Sequence, residues 1–246
     1  MPHLQEIKLL FHKYPSEERY PFDLPLLKVT RTLAFPSPIT LFAGENGSGK
    51  STLLRALARS CGIHIWEMEQ RRRLCRSPHE ENLHNYLSLT WSNGSVPGSY
   101  FSSEIFRDFA AALDEFAVSD PGMLRYFGGR SLVNQSHGES LLSYFGSRYL
   151  IKGLYLLDEP ETALSPASQV KLIKIIAEAA ARGDAQFIIA SHSPILLACP
   201  GATIYNFDVA PPRVVQYEDT EYYKVYKDFM EDRGKFLGCE PESEKE

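Results

Sequence analysis

The chain has 246 residues, 43% of them hydrophobic and 23% charged, and a net charge of -5 at neutral pH. That composition can bury a sizeable core in one domain or two small ones, and it excludes a disordered or collagen-like chain. The negative balance excludes a global field drawing the protein to nucleic acid or acidic lipid, although local basic spots remain possible.

Met1 to Glu6 carries no charged region ahead of an apolar run, and no stretch nears the roughly 18 apolar residues of a spanning helix. Neither a signal peptide nor direct membrane insertion is expected. Residues 4 to 35 alternate: Leu4, Ile7, Leu9 and Phe11, then Val29, Leu33 and Phe35, are interleaved with polar residues. This predicts half-buried antiparallel strands, closed by Pro36 and Pro38. Ile39-Thr40-Leu41-Phe42-Ala43 is a short β-prone run leading into Gly44-Glu45-Asn46-Gly47-Ser48-Gly49-Lys50-Ser51-Thr52. A helix is expected over Ser51 to Ser60, with Gly62 as its stop.

Residues 64 to 130 read as an inserted, largely helical subdomain, with a basic run Arg71-Arg72-Arg73, a turn at Ser92 to Ser95 and a helical pattern from Ser103 to Phe116. The basic run, with Arg76, could meet nucleic-acid phosphates, but Glu67, Glu69, Glu80 and Glu81 balance it as a solvated face. Leu154 to Leu157 and Gln186 to Ala190 are continuous apolar runs that suit a parallel sheet covered on both faces. Between them, Ala167 to Arg182 is a helix with Val170, Leu172, Ile173, Ile175 and Ile176 on a wide apolar face. Glu240 to Glu246 is an acidic, frayed tail. The expectation is one α/β domain over 1–246, with an insertion at about 64–135. Cys61, Cys75, Cys199 and Cys239 form no Cys-x-x-Cys pair and have no histidine at ligand spacing, which predicts reduced thiols and a cytoplasmic protein.

The loop at 44–52 has the composition a polyphosphate requires. Glycines let backbone N–H groups approach the oxygens, and the following helix presents its positive end. In that setting Lys50 reaches the β- and γ-phosphates, and the Ser51 hydroxyl binds Mg²⁺. Leu156-Leu157-Asp158-Glu159 sets two carboxylates at the end of a buried strand, the edge that faces ligands in open α/β sheets. Asp158 is placed for the magnesium shell and Glu159 for polarising water. In isolation the pair reads as a strand followed by an acidic turn; the upstream loop favours the functional reading. Ser191-His192-Ser193-Pro194 follows another buried strand, so His192 should reach the γ-phosphate from the same edge. Gln135-Ser136-His137-Gly138-Glu139-Ser140 precedes a helix expected over Leu141 to Leu150. On its own it is a helix cap followed by an acid.

In this order the four segments resemble the ATP-binding-cassette (ABC) ATPases, P-loop NTPases with a mostly parallel sheet. Gly44 to Thr52 looks like Walker A, Leu154 to Glu159 like Walker B and His192 like the switch histidine. Gln135 to Glu139 looks like the signature, with His137 and Glu139 at positions usually Gly and Gln. The stretches 136–140, 157–161 and 191–197 are more closely similar to small ATPases of the branch that includes structural-maintenance-of-chromosomes (SMC) proteins. No room exists between Walker A and the signature for a coiled-coil arm.

The resemblance implies ATP and Mg²⁺ as ligands, hydrolysis with Glu159, His192 and Lys50 catalytic, and a head-to-tail homodimer. Ser136, Gly138 and Glu139 of one copy would then meet the nucleotide of the other. Three departures stand out. Ser165 occupies the place of a common aspartate. No glutamine lies in 71–134, leaving Glu104 as a substitute for the one that touches magnesium. The adenine-stacking aromatic is unmarked, with Tyr20 and Phe22 as candidates or core residues. An ATP-gated binding module with an unidentified macromolecular partner, DNA- or defence-associated, and a transporter energy subunit both stay open.

Overall fold

The computed structural model describes residues 2–66, 77–120, 122 and 137–238. Gln135, Ser136, the arginines at 71–73 and 76, Cys75, Cys239 and the acidic tail lie outside them, as do the side chains of Glu104, His137 and Glu139.

The alternating N-terminal segment forms β1 (Leu4–Leu9), with Leu4, Ile7 and Leu9 buried between exposed or half-exposed neighbours. A short helix, α1 (Pro25–Val29), and β2 (Thr32–Ala34) follow. Next come β3 (Ile39–Ala43), α2 (Lys50–Ser60), β4 (Leu87–Trp91), β5 (Gly98–Ser102), α3 (Ser103–Ser119) and α4 (His137–Arg148). The C-terminal part contains β6 (Gly153–Asp158), α5 (Pro166–Ala181), β7 (Ala185–Ala190), α6 (Pro194–Leu197), β8 (Thr203–Asn206), β9 (Arg213–Val215), α7 (Glu221–Glu231) and α8 (Arg233–Leu237).

Two sheets result. The smaller is antiparallel, in the order β2-β1-β4. The larger runs β5-β6-β7-β3-β8-β9, parallel throughout except for β9. All residues of β3, β6 and β7 are buried, as expected for strands covered on both faces. Successive side chains divide between two cores. Tyr155, Leu157, Phe187 and Ile189 pack with Leu172 and Ile176 of α5 and Phe145 of α4. Leu154, Leu156 and Ile188 pack with Leu53, Leu54 and Leu57 of α2 and with Leu4 and Ile7 of the small sheet.

The register brings the strand ends level. Ser102 lies beside Asp158, Asp158 beside Ala190, and Phe42 beside Ala190. β3, β5, β6 and β7 therefore deliver their C-terminal residues to one edge. Close packing of β5 on β6 requires Gly98, where an added Cβ would sit 2.3 Å from the Leu154 carbonyl oxygen.

Three expectations need correction. The described residues of 64–130 are not all helical: beside α3, β4 completes the small sheet and β5 is an edge strand of the large one. Lys28 to Phe35 is not one strand. Pro25 at the first helical position starts α1, Val29 is 46% exposed, and only Thr32–Ala34 pairs with β1. The apolar face of α5 is narrower than its sequence suggests: Leu172, Ile176, Ala179 and Ala180 are buried, whereas Val170 faces solvent. No helix among the described residues is long and apolar enough to cross a membrane.

Candidate active site

The loop after β3 turns through glycine-only backbone. Gly47 and Gly49 have φ of 84° and 97°, values that a side chain would strain. Gly49 starts α2, so the first N–H groups of that helix open onto the loop. Lys50 is buried, and its Nζ donates to the carbonyls of Gly44 at 2.5 Å and Glu45 at 2.8 Å. Burial pulls its pKa down, opposed by the nearby carboxylates of Glu159, Asp208, Asp158 and Glu161. The ammonium is thus folded back onto its own loop. The loop is anchored from the far side by Asp208, whose Oδ1 accepts the Glu45 N–H at 2.6 Å.

At the end of β6, Asp158 is buried and fully engaged. Ser51 Oγ donates to Oδ1 at 2.7 Å and the Tyr100 hydroxyl donates to Oδ2 at 2.8 Å. Ser51 and Asp158 supply a hydroxyl and a carboxylate oxygen side by side, a donor set that fits magnesium held together with substrate phosphates. Burial raises the Asp158 carboxyl pKa above its usual 3.8, against the hydrogen bonds from Ser51 and Tyr100. Burial likewise raises Glu161 above its usual 4.5. Between each ordinary value and the raised one, the folded state holds a proton that the unfolded chain has released. Each group's contribution to stability therefore falls as pH rises from those ordinary values through the raised ones. Asp158→Asn removes a desolvated charge and keeps the shape, with the amide donating to Ser51. It is expected to raise the thermal midpoint of the nucleotide-free protein by roughly 2–4 °C, the effect of about 1 kcal/mol at this size. Differential scanning fluorimetry without nucleotide checks this, and a lowered midpoint contradicts it.

Glu159 has φ 47° and ψ 54°, the left-handed region, and is the one non-glycine residue with positive φ among the described residues. Such strain persists only where the surroundings enforce it. Its N–H donates to the Ala190 carbonyl at 2.9 Å, and its own carbonyl accepts from Ser103 Oγ and Thr162 Oγ1, each at 2.9 Å. Ser103 stands at the end of β5, in the region where no glutamine is found.

His192 Nε2 lies 3.1 Å from Glu159 Oε1 and its Nδ1 lies 2.6 Å from the Tyr222 hydroxyl. Glu161, the last residue of the stretch 157–161, underpins this arm. Its Oε1 accepts from Ser191 Oγ at 2.8 Å, His192 N at 2.5 Å and Ser193 N at 3.2 Å. A cavity of about 350 Å³ opens over Ser51, Arg55, Ser102, Asp158 and Glu159.

The structure thus gathers Lys50, Ser51, Asp158, Glu159 and His192 at one sheet edge. Gly138 lies in the first turn of α4, near Ser168 and Leu164 at the start of α5. Ser165 caps α5 by accepting the Ser168 N–H at 3.3 Å. Of the two stacking candidates, Phe22 is wholly buried against Tyr14 and Tyr86, whereas Tyr20 is 37% exposed and its hydroxyl lies 2.8 Å from Thr52 Oγ1. Tyr100, Ser103, Asp208 and Tyr222 act through tertiary contacts that no local motif announces, and Glu161 lies in the stretch 157–161 without a role assigned to it there.

A family profile described as "AAA domain, putative AbiEii toxin, Type IV TA system" matches residues 67–198, more than half of the chain. The chain belongs to this AAA-domain family. A second AAA-domain profile matches residues 28–70. Among curated relatives of this AAA-domain protein, the cobalt import ATP-binding protein CbiO of Salmonella paratyphi A is 27% identical over 191 residues, 69% of this chain and 67% of CbiO. The zinc import ATP-binding protein ZnuC of Paracoccus denitrificans is 30% identical over 188 residues, 71% of this chain and 66% of ZnuC.

Among solved structures, CbiO1 of Clostridium perfringens, part of the ABC transporter complex cbiONQ, has TM-score 0.52 at 15% identity, covering 97% of this chain and 100% of that one. The SMC head domain of Thermotoga maritima has TM-score 0.50 at 13% identity, covering 88% and 100%. The fold of this family member is the ABC-type P-loop fold, with its mostly parallel sheet between helices.

Proposed function

We propose that this chain binds ATP with Mg²⁺ and hydrolyses it, and that two copies assemble around the nucleotides to do so. The observation that carries the reading is the contact of the Ser51 hydroxyl with the Asp158 carboxylate beside Lys50. Lys50 leaves the carbonyls of Gly44 and Glu45 for the β- and γ-phosphates, while the N–H groups of Gly47 to Thr52 cradle the phosphate chain. Ser51 and Asp158 hold magnesium, which when bound neutralises charge on the phosphate oxygens. Glu159 accepts a proton from the attacking water, and His192 stands between that carboxylate and the terminal phosphate. The whole chain, 1–246, acts as one ABC-type unit, with part of 64–135 as its inserted segment.

The resemblance implies that Ser136, Gly138 and Glu139 meet the nucleotide of a second copy, and the N-terminal turn of α4, which starts at His137, carries the positive end of a helix dipole. Supplied by a second copy, that helix end completes the phosphate environment only on association. Steady-state turnover against protein concentration tests this: specific activity rising with concentration supports it, and activity independent of concentration removes the dimer from the mechanism. The curated relatives favour a second reading, an energy subunit for a separate membrane partner. Stable co-purification with a membrane protein supports that reading.

A further inference from the structure

The phosphate loop and the switch histidine are joined by a side chain from outside every nucleotide motif. Tyr222 projects from the first turn of α7, and its hydroxyl donates to the Gly44 carbonyl at 2.9 Å. The same oxygen lies 2.6 Å from His192 Nδ1, with the two rings edge to face. A phenol has one proton, and a carbonyl can only accept. The Tyr222 proton is therefore committed to Gly44, and the phenol oxygen meets Nδ1 only as an acceptor. It follows that Nδ1 carries hydrogen; the Glu159 carboxylate 3.1 Å from Nε2 also only accepts, so Nε2 donates to it.

We propose that Tyr222 is a positioning residue for hydrolysis, holding His192 with Nδ1 protonated and Nε2 directed at Glu159 and the terminal phosphate. The local structure is built for this. Thr220 is buried and caps α7 by accepting the Tyr223 N–H, which fixes the turn that carries Tyr222. Burial and the carboxylates of Asp208, Glu45, Glu161 and Glu159 push the phenol up to about 12, so it remains a donor at working pH. Without the hydroxyl, Nδ1 loses its acceptor. The ring is then held through Nε2 and the Glu159 carboxylate alone, and its orientation beside the base that water needs is no longer fixed. The inference rests on the proposed ATPase reading for its kinetic consequence, but its protonation pattern is independent of it.

The test is ¹⁵N imidazole NMR of the full chain without nucleotide, with His192 assigned by the signal missing in His192→Gln. In the wild type, Nδ1 is expected to be protonated. In Tyr222→Phe, which keeps the ring contact, Nδ1 is expected to lose its proton, leaving Nε2 as the protonated nitrogen. An unprotonated Nδ1 in the wild type overturns the proposal without any variant, and so does an unchanged pattern in a folded Tyr222→Phe. On the enzyme, Tyr222→Phe is expected to lower kcat about 10-fold with KM little changed, a fraction of the roughly 10²–10⁴-fold that a proton-handling group supplies. Failure of wild-type turnover would count against the ATPase reading alone, whereas an unchanged protonation pattern with active wild type counts against Tyr222 alone.

Discussion

Glu159→Gln is expected to lower kcat by about 10²–10⁴-fold while ATP stays bound. Glutamine matches glutamate in shape, so the left-handed backbone at 159 and its clamps from Ser103, Thr162 and Ala190 persist. The amide can donate to His192 Nε2, which replaces the present 3.1 Å contact. What is lost is the negative charge that accepts a proton from water. ATP consumption is therefore blocked after binding, and the nucleotide-bound dimer is expected to accumulate on size-exclusion chromatography. Single-turnover kinetics with bound-ATP quantification checks both parts. Undiminished turnover would remove Glu159 from the role of base, and loss of ATP binding would assign it to the binding machinery instead.

Lys50→Met acts at an earlier step and has the opposite signature. The ammonium is satisfied by two loop carbonyls and surrounded by four carboxylates, so it contributes positive charge where polyphosphate must enter an acidic site. A charge-assisted hydrogen bond contributes about 1.5–3 kcal/mol, so ATP affinity is expected to fall roughly 10–150-fold. Methionine keeps most of the buried volume, so folding should survive. Equilibrium titration of a fluorescent ATP analogue reads this directly. Affinity within threefold of the wild type contradicts the role.

Much of the site was legible because its parts are short-range. The loop from Gly44 to Thr52 is contiguous, and the apolar runs 154–157 and 186–190 announce buried parallel strands that carry Asp158, Glu159 and His192 to one edge. Spacing therefore predicted proximity. The unread parts have a common cause. β5, Gly-Ser-Tyr-Phe-Ser, reads as a short β-like run ahead of Glu104, but nothing local announces its pairing with β6, which buries Tyr100 and Phe101. β4 had a signal, Leu87, Leu89 and Trp91 alternating with polar residues, which a helical reading of 64–130 obscured. α1 is a single turn whose start is set by Pro25. Glu161, Asp208 and Tyr222 become functional candidates only when β7, β8 and α7 converge on the loop.

Isothermal titration of ATP into the folded wild-type protein at high concentration, with and without Mg²⁺, tests the account most directly. The Lys50, Ser51 and Asp158 constellation predicts saturable heat with one nucleotide per chain, strengthened by magnesium. A well-folded protein that gives no saturable heat with ATP and Mg²⁺ contradicts the account at its base.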